Sequence, residues 1–292
     1  MFKGSMTALV TPFRNNAVDE AAFQKFVDWQ IKEGIDGIVP VGTTGECPTV
    51  SHEEHHRIVE LAVEVAKGRV PVIAGTGSNS TAEAIDLTRH AEKAGASAAL
   101  VVLPYYNRPT PEGQYQHFKA IHDATNLPII IYNVPPRSAV DMSIDTMARC
   151  ATLPRVIGVK DATADLARPA RTRIAIGADF CQLSGEDATA LPFLVQGGVG
   201  CISVTSNVAP KLTAQMHAAW RAGDLARAME INERLMPLND AMFCETSPGP
   251  VKYALSLMGH IQPDVRLPLA PISDASKQKV EVALKKVGLI GQ

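Results

Sequence analysis

A lysine and a tyrosine stand at the ends of two consecutive apolar runs and could together carry out imine chemistry. The run LPIIIYNV contains Tyr132, and the run RVIGVK ends at Lys160. Nearly every residue of a buried parallel strand is aliphatic, so a lysine in such a strand is costly unless the protein uses it. Burial disfavours the ammonium form and supplies the neutral amine that attacks a carbonyl. A phenol beside it can pass a proton to or from the carbinolamine.

Both residues also have an ordinary structural interpretation. Lys160 could reach solvent from its strand end or pair with Asp161, and Tyr132 could be a core aromatic with a hydrogen-bonded hydroxyl. We expect each to be the last residue of its strand, at equal height on neighbouring strands, which favours the catalytic interpretation. Gly158 shares a face with Lys160, so its missing side chain should leave room beside the amine if that face points inward.

The composition of the whole chain favours a small-molecule partner. The 292 residues are 46% hydrophobic and carry a formal net charge of −2. Such a chain lacks the positive field that nucleic acid or an anionic membrane surface requires. Five dispersed cysteines without a CxxC pair predict neither a disulfide framework nor a zinc cage, and they favour a reduced, cytoplasmic location. No apolar stretch approaches the roughly 20 residues of a membrane span.

Short β-branched runs alternate with helical stretches along most of the chain. This rhythm predicts a (β/α)8 TIM barrel, because right-handed crossovers make successive strands parallel. We predict that residues 1–223 form the catalytic barrel and that residues 224–292 form a C-terminal helical appendix. The eight strand candidates are SMTALVT, DGIVPVG, VPVIAGTG, AALVVLP, PIIIYNV, VIGVK, FCQLSG and GCISVT.

Helix signals occupy the segments between these strands. Apolar residues recur at helical spacing from Asp19 to Glu33, and Ser51 with Glu54 three residues later forms a capping box. We predict two further helices from Thr81 to Gly95 and from Pro111 to Thr125. After the eighth strand, four helices are expected in KLTAQMHAAWRAG, DLARAMEINERLMPLNDAMF, PVKYALSLMGH and ASKQKVEVALKKVG.

Polar and glycine residues cluster directly after the strands, where a barrel has its catalytic mouth. In GTTGE, the glycines and the hydroxyls of Thr43 and Thr44 could hold a substrate carboxylate, or the segment could be a tight strand-to-helix turn. Arg137 follows a double proline, and it could bind a carboxylate or be an exposed loop charge. Residue type alone leaves these alternatives open.

The segment HEEHH, from His52 to His56, satisfies the HExxH pattern of zinc proteases literally. Because Ser51 caps the helix, we expect these residues in an exposed first turn rather than at the centre of a helix that faces a cleft. The sequence therefore favours a solvated surface or a regulatory contact with a small molecule over zinc.

Four motifs, GTTGE, PYYNRPTPEG, IIIYNVPPRS and GVKDAT, closely resemble in order and spacing those of the dihydrodipicolinate synthase family of pyruvate-dependent class I aldolases. The resemblance covers essentially the whole chain. It implies that Lys160 forms an imine with pyruvate and that the derived enamine attacks L-aspartate 4-semialdehyde, the first committed step of lysine and diaminopimelate biosynthesis. No metal or organic cofactor is implied, because the protonated imine is itself the electron sink.

The resemblance also implies a proton relay and an oligomer. Tyr132 would be the proton donor and acceptor, and Thr43 and Tyr106 match the positions that complete its relay. Tyr106 in this family reaches into the site of the neighbouring subunit. A homo-oligomer, either a dimer or a dimer of dimers, is therefore expected.

Other positions match substrate contacts of the family. Thr44 and the backbone of Ile202 correspond to contacts with the pyruvate carboxylate, and Gly185 lies in an SGED loop near the substrate. Arg137 would hold the carboxylate of the semialdehyde, which sugar-acid lyases of the family do not need to bind. Ser-Ala-Val follows Arg137 where many relatives have Thr-Gly, so the local loop shape departs from the usual pattern.

A regulatory site is implied as well, because L-lysine inhibits bacterial and plant members by binding at a dimer interface. The positions that match the lysine site are His52, His55, Asn79, Glu83 and Tyr105.

Two alternatives to the synthase activity remain. One is a related aldolase that acts on 2-keto-3-deoxy sugar acids, and the other is a non-catalytic barrel that binds a keto acid.

Overall fold

Strands alternate with helices from the beginning of the chain to Ser203 in a computed structural model that describes residues 2–291. Eight of the strands belong to one parallel sheet, and all eight coincide with predicted strands. This confirms the (β/α)8 barrel as the fold class. In chain order the strands are β1 (Gly4–Ala8), β2 (Phe13–Arg14), β3 (Ala17–Val18), β4 (Gly37–Val39), β5 (Ile73–Gly75), β6 (Ala98–Val102), β7 (Ile129–Asn133), β8 (Val156–Asp161), β9 (Cys181–Ser184) and β10 (Gly200–Ser203).

The first four helices lie close to the segments predicted for them, and the last four confirm the expected C-terminal helices. None of the helices in residues 2–291 is both long and apolar enough to cross a membrane. The helices are α1 (Glu20–Lys32), α2 (His52–Ala66), α3 (Thr81–Ala94), α4 (Pro111–Ala124), α5 (Pro135–Ser138), α6 (Ile144–Ala151), α7 (Arg168–Ile176), α8 (Ala190–Val195), α9 (Pro210–Arg221), α10 (Leu225–Met242), α11 (Gly249–Leu257) and α12 (Asp274–Val287).

The chain divides into two compact units, and the first consists of residues 71–202 with the N-terminal residues before Gly4. Strands β5 to β10 follow one another in sequence order within the sheet. The three isoleucines of β7, Ile129, Ile130 and Ile131, are fully buried. Such continuous aliphatic burial is typical of parallel strands that are covered on both faces.

The second unit consists of residues 4–70 together with residues from 203 onwards. Strand β1 pairs in parallel with β4, and a buried polar network ties β1 to the segment after β10. In that network, Gln30 accepts a hydrogen bond of 2.7 Å from the Thr7 hydroxyl, and Asn207 donates one of 2.8 Å to the carbonyl of Ala8. The boundary predicted near Asp224 stays a prediction.

A short hairpin in the second unit was not predicted. Strands β2 and β3 pair antiparallel, and Asn15 and Asn16 between them both have a positive φ. Two adjacent residues with positive φ form the turn that best matches the twist of a two-residue hairpin, and asparagine tolerates it well. The Asn-Asn dipeptide was therefore the signal for this hairpin, although strands of two residues carry no periodicity of their own.

Candidate active site

Lys160 and Tyr132 lie side by side in the first unit, at the same level of neighbouring strands. Tyr132 on β7 is the direct register partner of Lys160 on β8. Both side chains are buried, and Lys160 Nζ lies 4.2 Å from the centroid of the Tyr132 ring. Each strand continues for one more residue, so the expectation that each side chain is last in its strand was wrong by one position. The predicted pairing at equal height is confirmed.

The residues that follow the pair fix the two strand ends to each other. Asn133 and Asp161 are also register partners, and both are buried. The Asp161 carboxylate accepts hydrogen bonds from the backbone and side chain of Thr163 through one oxygen, and Arg168 Nε lies 2.7 Å from the other. Burial raises the pKa of Asp161, which Thr163 and Arg168 oppose. Because both oxygens are engaged, Asp161 is not the ion-pair partner of Lys160.

Gly158 does not provide the expected space beside the amine. A Cβ atom at this position would lie 2.3 Å from the carbonyl oxygen of Cys181 on the next strand. The glycine instead permits close approach of two strand backbones, which is a common reason for glycine within a sheet.

The SGED loop lies against the end of β8. The Gly185 N–H donates a 2.6 Å hydrogen bond to the carbonyl of Asp161, and a Cβ atom at Gly185 would lie only 2.7 Å from that of Ala162. Glu186 follows with a half-buried carboxylate. Burial and Asp187 raise the pKa of Glu186, whereas the charges of Lys160 and Arg137 lower it. The carboxylate of Glu186 therefore interacts electrostatically with both Lys160 and Arg137.

Arg137 and Ile202, two other predicted substrate contacts, differ in accessibility. Arg137 is exposed on α5, the single helical turn that its two prolines begin. Ile202 is fully buried on β10, whose neighbour in the sheet is β9. An exposed guanidinium is available to a ligand in solution, whereas Ile202 has no polar side-chain atom and could bind a carboxylate only through its backbone. The contact of each residue with substrate stays a prediction.

The loop after β6 carries two predicted residues with contrasting exposure. Tyr106 is 90% exposed and has a φ of 69°, a left-handed conformation that is rare for an aromatic residue. Tyr105 is half-buried, and its carbonyl accepts a 2.8 Å hydrogen bond from the N–H of Asn107. The Asn107 side chain donates to the carbonyl of Asn79, also at 2.8 Å. Asn107 therefore links two residues of the predicted lysine site, Tyr105 and Asn79.

A third member of the predicted lysine site, Glu83, lies in the first turn of α3 and accepts a hydrogen bond from the hydroxyl of Ser78. The remaining two members belong to the second unit. His52 is exposed at the start of α2, but His55 is 4% exposed. The expectation that HEEHH forms an exposed first turn was therefore wrong for His55, which lies on the apolar face of the helix.

The GTTGE segment forms a tight turn in the second unit. The N–H of Gly45 donates to the carbonyl of Gly42 at 3.0 Å, and the N–H of Glu46 donates to the carbonyl of Thr43 at 3.1 Å. Thr43 is half-buried and Thr44 is 5% exposed. Within residues 2–291, no cluster of three or more histidine, cysteine, aspartate or glutamate side chains is arranged to hold a metal ion.

The model of the dihydrodipicolinate synthetase family matches residues 1–287 of the chain. The chain belongs to this family. A 4-hydroxy-tetrahydrodipicolinate synthase of Rhodospirillum centenum is 66% identical over 290 residues, covering 99% of this chain and 100% of the relative. The enzyme of the same name from Bradyrhizobium diazoefficiens is 59% identical over 289 residues, covering 99% of this chain and 98% of the relative.

Solved structures of the dihydrodipicolinate synthetase family have the same fold. A dihydrodipicolinate synthase from Acinetobacter baumannii, described as chloride-inhibited and complexed with pyruvate, is 45% identical with a TM-score of 0.97, over 99% of this chain and 100% of that one. The enzyme from Cyanidioschyzon merolae with lysine bound is 36% identical with a TM-score of 0.95, over 99% of both chains.

Sequence reasoning missed two polar residues in this member of the dihydrodipicolinate synthetase family. Glu186 was overlooked although it directly follows Gly185 in the SGED loop. Asn133 was overlooked although it directly follows Tyr132, and its side chain donates a 2.8 Å hydrogen bond to Asp141 and accepts one of 3.1 Å from the N–H of Met142. Each lies at or just after the end of a strand, which was the signal that identified Lys160.

Proposed function

We propose that the chain has 4-hydroxy-tetrahydrodipicolinate synthase activity, a lyase reaction that condenses pyruvate with L-aspartate 4-semialdehyde. The observation that carries this proposal is the buried amine of Lys160, 4.2 Å from the ring of Tyr132 on the neighbouring strand. The relatives that carry this name are 59% and 66% identical over nearly the full chain, which supports the same activity here. The reaction is the first committed step of lysine and diaminopimelate biosynthesis.

The reaction begins when the neutral amine of Lys160 attacks the keto carbon of pyruvate. The carbinolamine takes up a proton on its hydroxyl and loses water to give a protonated imine, and loss of a methyl proton then gives an enamine. The enamine carbon forms a bond to the aldehyde carbon of the semialdehyde. The amino group of that substrate then attacks the imine carbon, which closes the ring and releases Lys160. The protonated imine accepts the electrons of the broken C–H bond, and the enamine then donates them to the aldehyde carbon, whose oxygen takes up a proton. The proposed chemistry therefore needs no metal or organic cofactor.

Tyr132 is the proposed proton donor and acceptor for these steps. The centroid of its ring lies 4.2 Å from the Lys160 amine, so we expect its hydroxyl close to the atoms where the carbinolamine forms and breaks down. Thr43 and Tyr106 are proposed to complete the relay. Thr44, the backbone of Ile202 and the SGED loop at Gly185 are proposed to contact the substrate.

A borohydride experiment tests this function. Incubation with pyruvate and sodium borohydride should reduce the imine and add a stable mass to Lys160, whereas an unmodified Lys160 would exclude every Schiff-base mechanism and favour a non-catalytic barrel that binds a keto acid. A coupled assay should then show turnover with pyruvate and aspartate semialdehyde. Faster turnover of 2-keto-3-deoxy sugar acids would favour the alternative aldolase activity.

Replacing Arg137 by alanine should lower kcat/KM for the semialdehyde by about 10- to 100-fold, because a charged hydrogen bond contributes roughly 1.5–3 kcal/mol. Arg137 is exposed on α5, and its charge lowers the pKa of Glu186 in the SGED loop, which supports a location near that loop. The borohydride adduct with pyruvate should form at an unchanged rate, since pyruvate contacts are assigned elsewhere. Steady-state kinetics with each substrate varied in turn measures both effects.

The exposed Arg171, which pairs with Asp165, provides the matched control as Arg171→Ala. It removes the same side chain from the same unit and should leave both kinetic parameters unchanged. An Arg137→Ala variant that used the semialdehyde as well as the wild type would contradict the assigned role.

We also propose that L-lysine binds this chain as a feedback inhibitor. Asn79 and Tyr105 are linked through Asn107, and Glu83 lies near them on α3, so three predicted contacts come from one region of the first unit. The lysine-bound relative from Cyanidioschyzon merolae supports such a site. Glu83 would bind the amino group of the effector.

Titration with L-lysine should therefore release or absorb heat and lower the turnover rate, and Glu83→Gln should weaken both effects by about tenfold or more, since a charged hydrogen bond is lost. Isothermal calorimetry and the coupled assay make the measurement. The exposed Glu233 on α10 provides a control as Glu233→Gln. Absence of both heat and inhibition at millimolar lysine would remove this proposal.

A homo-oligomer, specifically a dimer of dimers, is proposed for the same chain. The exposed Tyr106 in a left-handed conformation supports it, because a large aromatic side chain held away from its own unit is suited to contact a second copy. Sedimentation velocity that showed only monomers at micromolar concentration would contradict it. A cytoplasmic location is proposed because none of the five cysteines, all within residues 2–291, forms a disulfide.

A further inference from the structure

A fully buried ion pair connects the GTTGE turn to the C-terminal helices. Lys252 on α11 has no exposed surface, and its Nζ donates a 2.5 Å hydrogen bond to Glu46 Oε1 and one of 2.7 Å to the carbonyl of Asp264. The second carboxylate oxygen of Glu46 accepts a 3.1 Å hydrogen bond from the N–H of Arg266. Lysine and glutamate are almost never fully buried unless they are paired, so this contact is a specific feature of the fold.

Arg266 extends the connection to the start of helix α2. Its guanidinium donates two hydrogen bonds of 2.6 Å to the carboxylate of Glu54, the capping-box residue of that helix. The guanidinium carbon and the Lys252 amine lie 4.2 Å and 4.1 Å from the centroid of the Phe13 ring. Lys252 and Arg266, which both follow β10 in the chain, therefore bind the two ends of the segment that runs from Glu46 in the turn to Glu54 in α2.

The turn itself has a backbone conformation that its residue types do not favour. Val41 and Glu46, on either side of Thr43 and Thr44, have φ angles of 47° and 56°. The left-handed region is unusual for any residue with a side chain and most unfavourable for a β-branched one. Such conformations persist only where surrounding contacts hold them. At Glu46 those contacts are the carboxylate bonds to Lys252 and Arg266.

We propose that Lys252 and Glu46 are positioning residues for the reaction, because their ion pair fixes the backbone at Glu46 and thereby Thr43 in the turn. The link is the hydrogen bond from the N–H of Glu46 to the carbonyl of Thr43. The proposal rests on the proposed function, in which Thr43 belongs to the proton relay and Thr44 binds pyruvate. It assigns a role in the reaction to α11, which carries none of the proposed catalytic residues.

Lys252→Met and Glu46→Gln, singly and together, test the pair. Glu46→Gln is the milder change because an amide oxygen can still accept from Lys252, and burial has already lowered the pKa of that lysine to about 8. The double variant removes both charges, so it leaves no buried charge without a partner and should fold. We expect each single variant to lower kcat by about tenfold or more, since small displacements of catalytic groups have effects of this size. Lys285→Met, at an exposed lysine on α12, is the control and should turn over at the wild-type rate.

A double-mutant cycle with Thr43→Val separates positioning from loss of structure. If the ion pair acts through Thr43, Lys252→Met should have little further effect on kcat once the Thr43 hydroxyl is absent. The same fold-loss in both backgrounds would overturn the positioning role while leaving the proposed function intact. A Thr43→Val variant with wild-type kcat would overturn the relay assignment, and the positioning role with it. Circular dichroism at the assay temperature confirms that each variant is folded.

Discussion

Replacing Lys160 by methionine should abolish the borohydride-trapped pyruvate adduct and lower kcat by about 10⁴-fold or more, the range seen when a covalent nucleophile is removed. Methionine fills a similar volume in the buried position beside Tyr132, so the strand should stay in place. Intact-protein mass spectrometry measures the adduct, and the coupled assay measures turnover. No other buried amine in residues 2–291 is a substitute, because Lys252 is held by Glu46 in the second unit.

The exposed Lys211 at the start of α9 provides the matched control, and Lys211→Met should retain both the adduct and full activity. A Lys160→Met variant that still gained the mass of reduced pyruvate would show that another lysine forms the imine. The proposed mechanism would then be wrong even if the family assignment stood.

The side-by-side placement of Lys160 and Tyr132 could be predicted from the sequence because it depends on local pattern. Aliphatic runs of five or six residues are typical of buried parallel strands. Strands that are consecutive in sequence are usually neighbours in a parallel sheet, so the two runs are expected to lie side by side. Because each run carries its polar residue near its C-terminal end, the two polar side chains are expected at the same level of the sheet. The register Tyr132 to Lys160 is therefore a direct consequence of where each aliphatic run stops. The error of one residue at each strand end arose because Asn133 and Asp161 continue the pairing through backbone atoms, which the side-chain pattern does not report.

The tie between the turn and the C-terminal helices could not be predicted in this way. Glu46 and Lys252 are separated by 206 positions, and nothing in either segment indicates the other. The left-handed backbone of Val41 also opposes the preference of its residue type, so local propensity predicts the wrong conformation there. Tertiary contacts decide both features. Sequence patterns therefore predicted the side chains that are proposed to react but not what holds the threonine turn.

Gly158 shows the same distinction on a smaller scale. Alternation along the strand predicts that Gly158 shares a face with Lys160. It does not predict which atoms lie in the space that a side chain at this position would occupy. The backbone of Cys181 occupies it, so the residue serves strand packing rather than substrate access. A larger residue at this position would separate β8 from β9, and with it Lys160 from the loop that carries Glu186.

Replacing Tyr132 by phenylalanine should lower kcat by about 10²- to 10⁴-fold, the usual contribution of a general acid or base. Phenylalanine keeps the ring that lies 4.2 Å from the Lys160 amine, so packing and the cation–π contact remain and only the hydroxyl is lost. The imine with pyruvate should still form, but slowly, because the carbinolamine then relies on water for its proton. The time course of borohydride trapping and steady-state turnover measure the two steps.

Tyr115→Phe is the matched control, because Tyr115 stacks under Arg149 on the surface of α4 and should tolerate loss of its hydroxyl. The comparison with Lys160→Met is informative as well, since loss of the nucleophile prevents the adduct whereas loss of the phenol should only delay it. Wild-type trapping and turnover in Tyr132→Phe would show that the phenol transfers no proton. The close contact between ring and amine would then serve only to hold the lysine, and Glu186, whose pKa is lowered by the charge of Lys160, would be the next candidate for the acid.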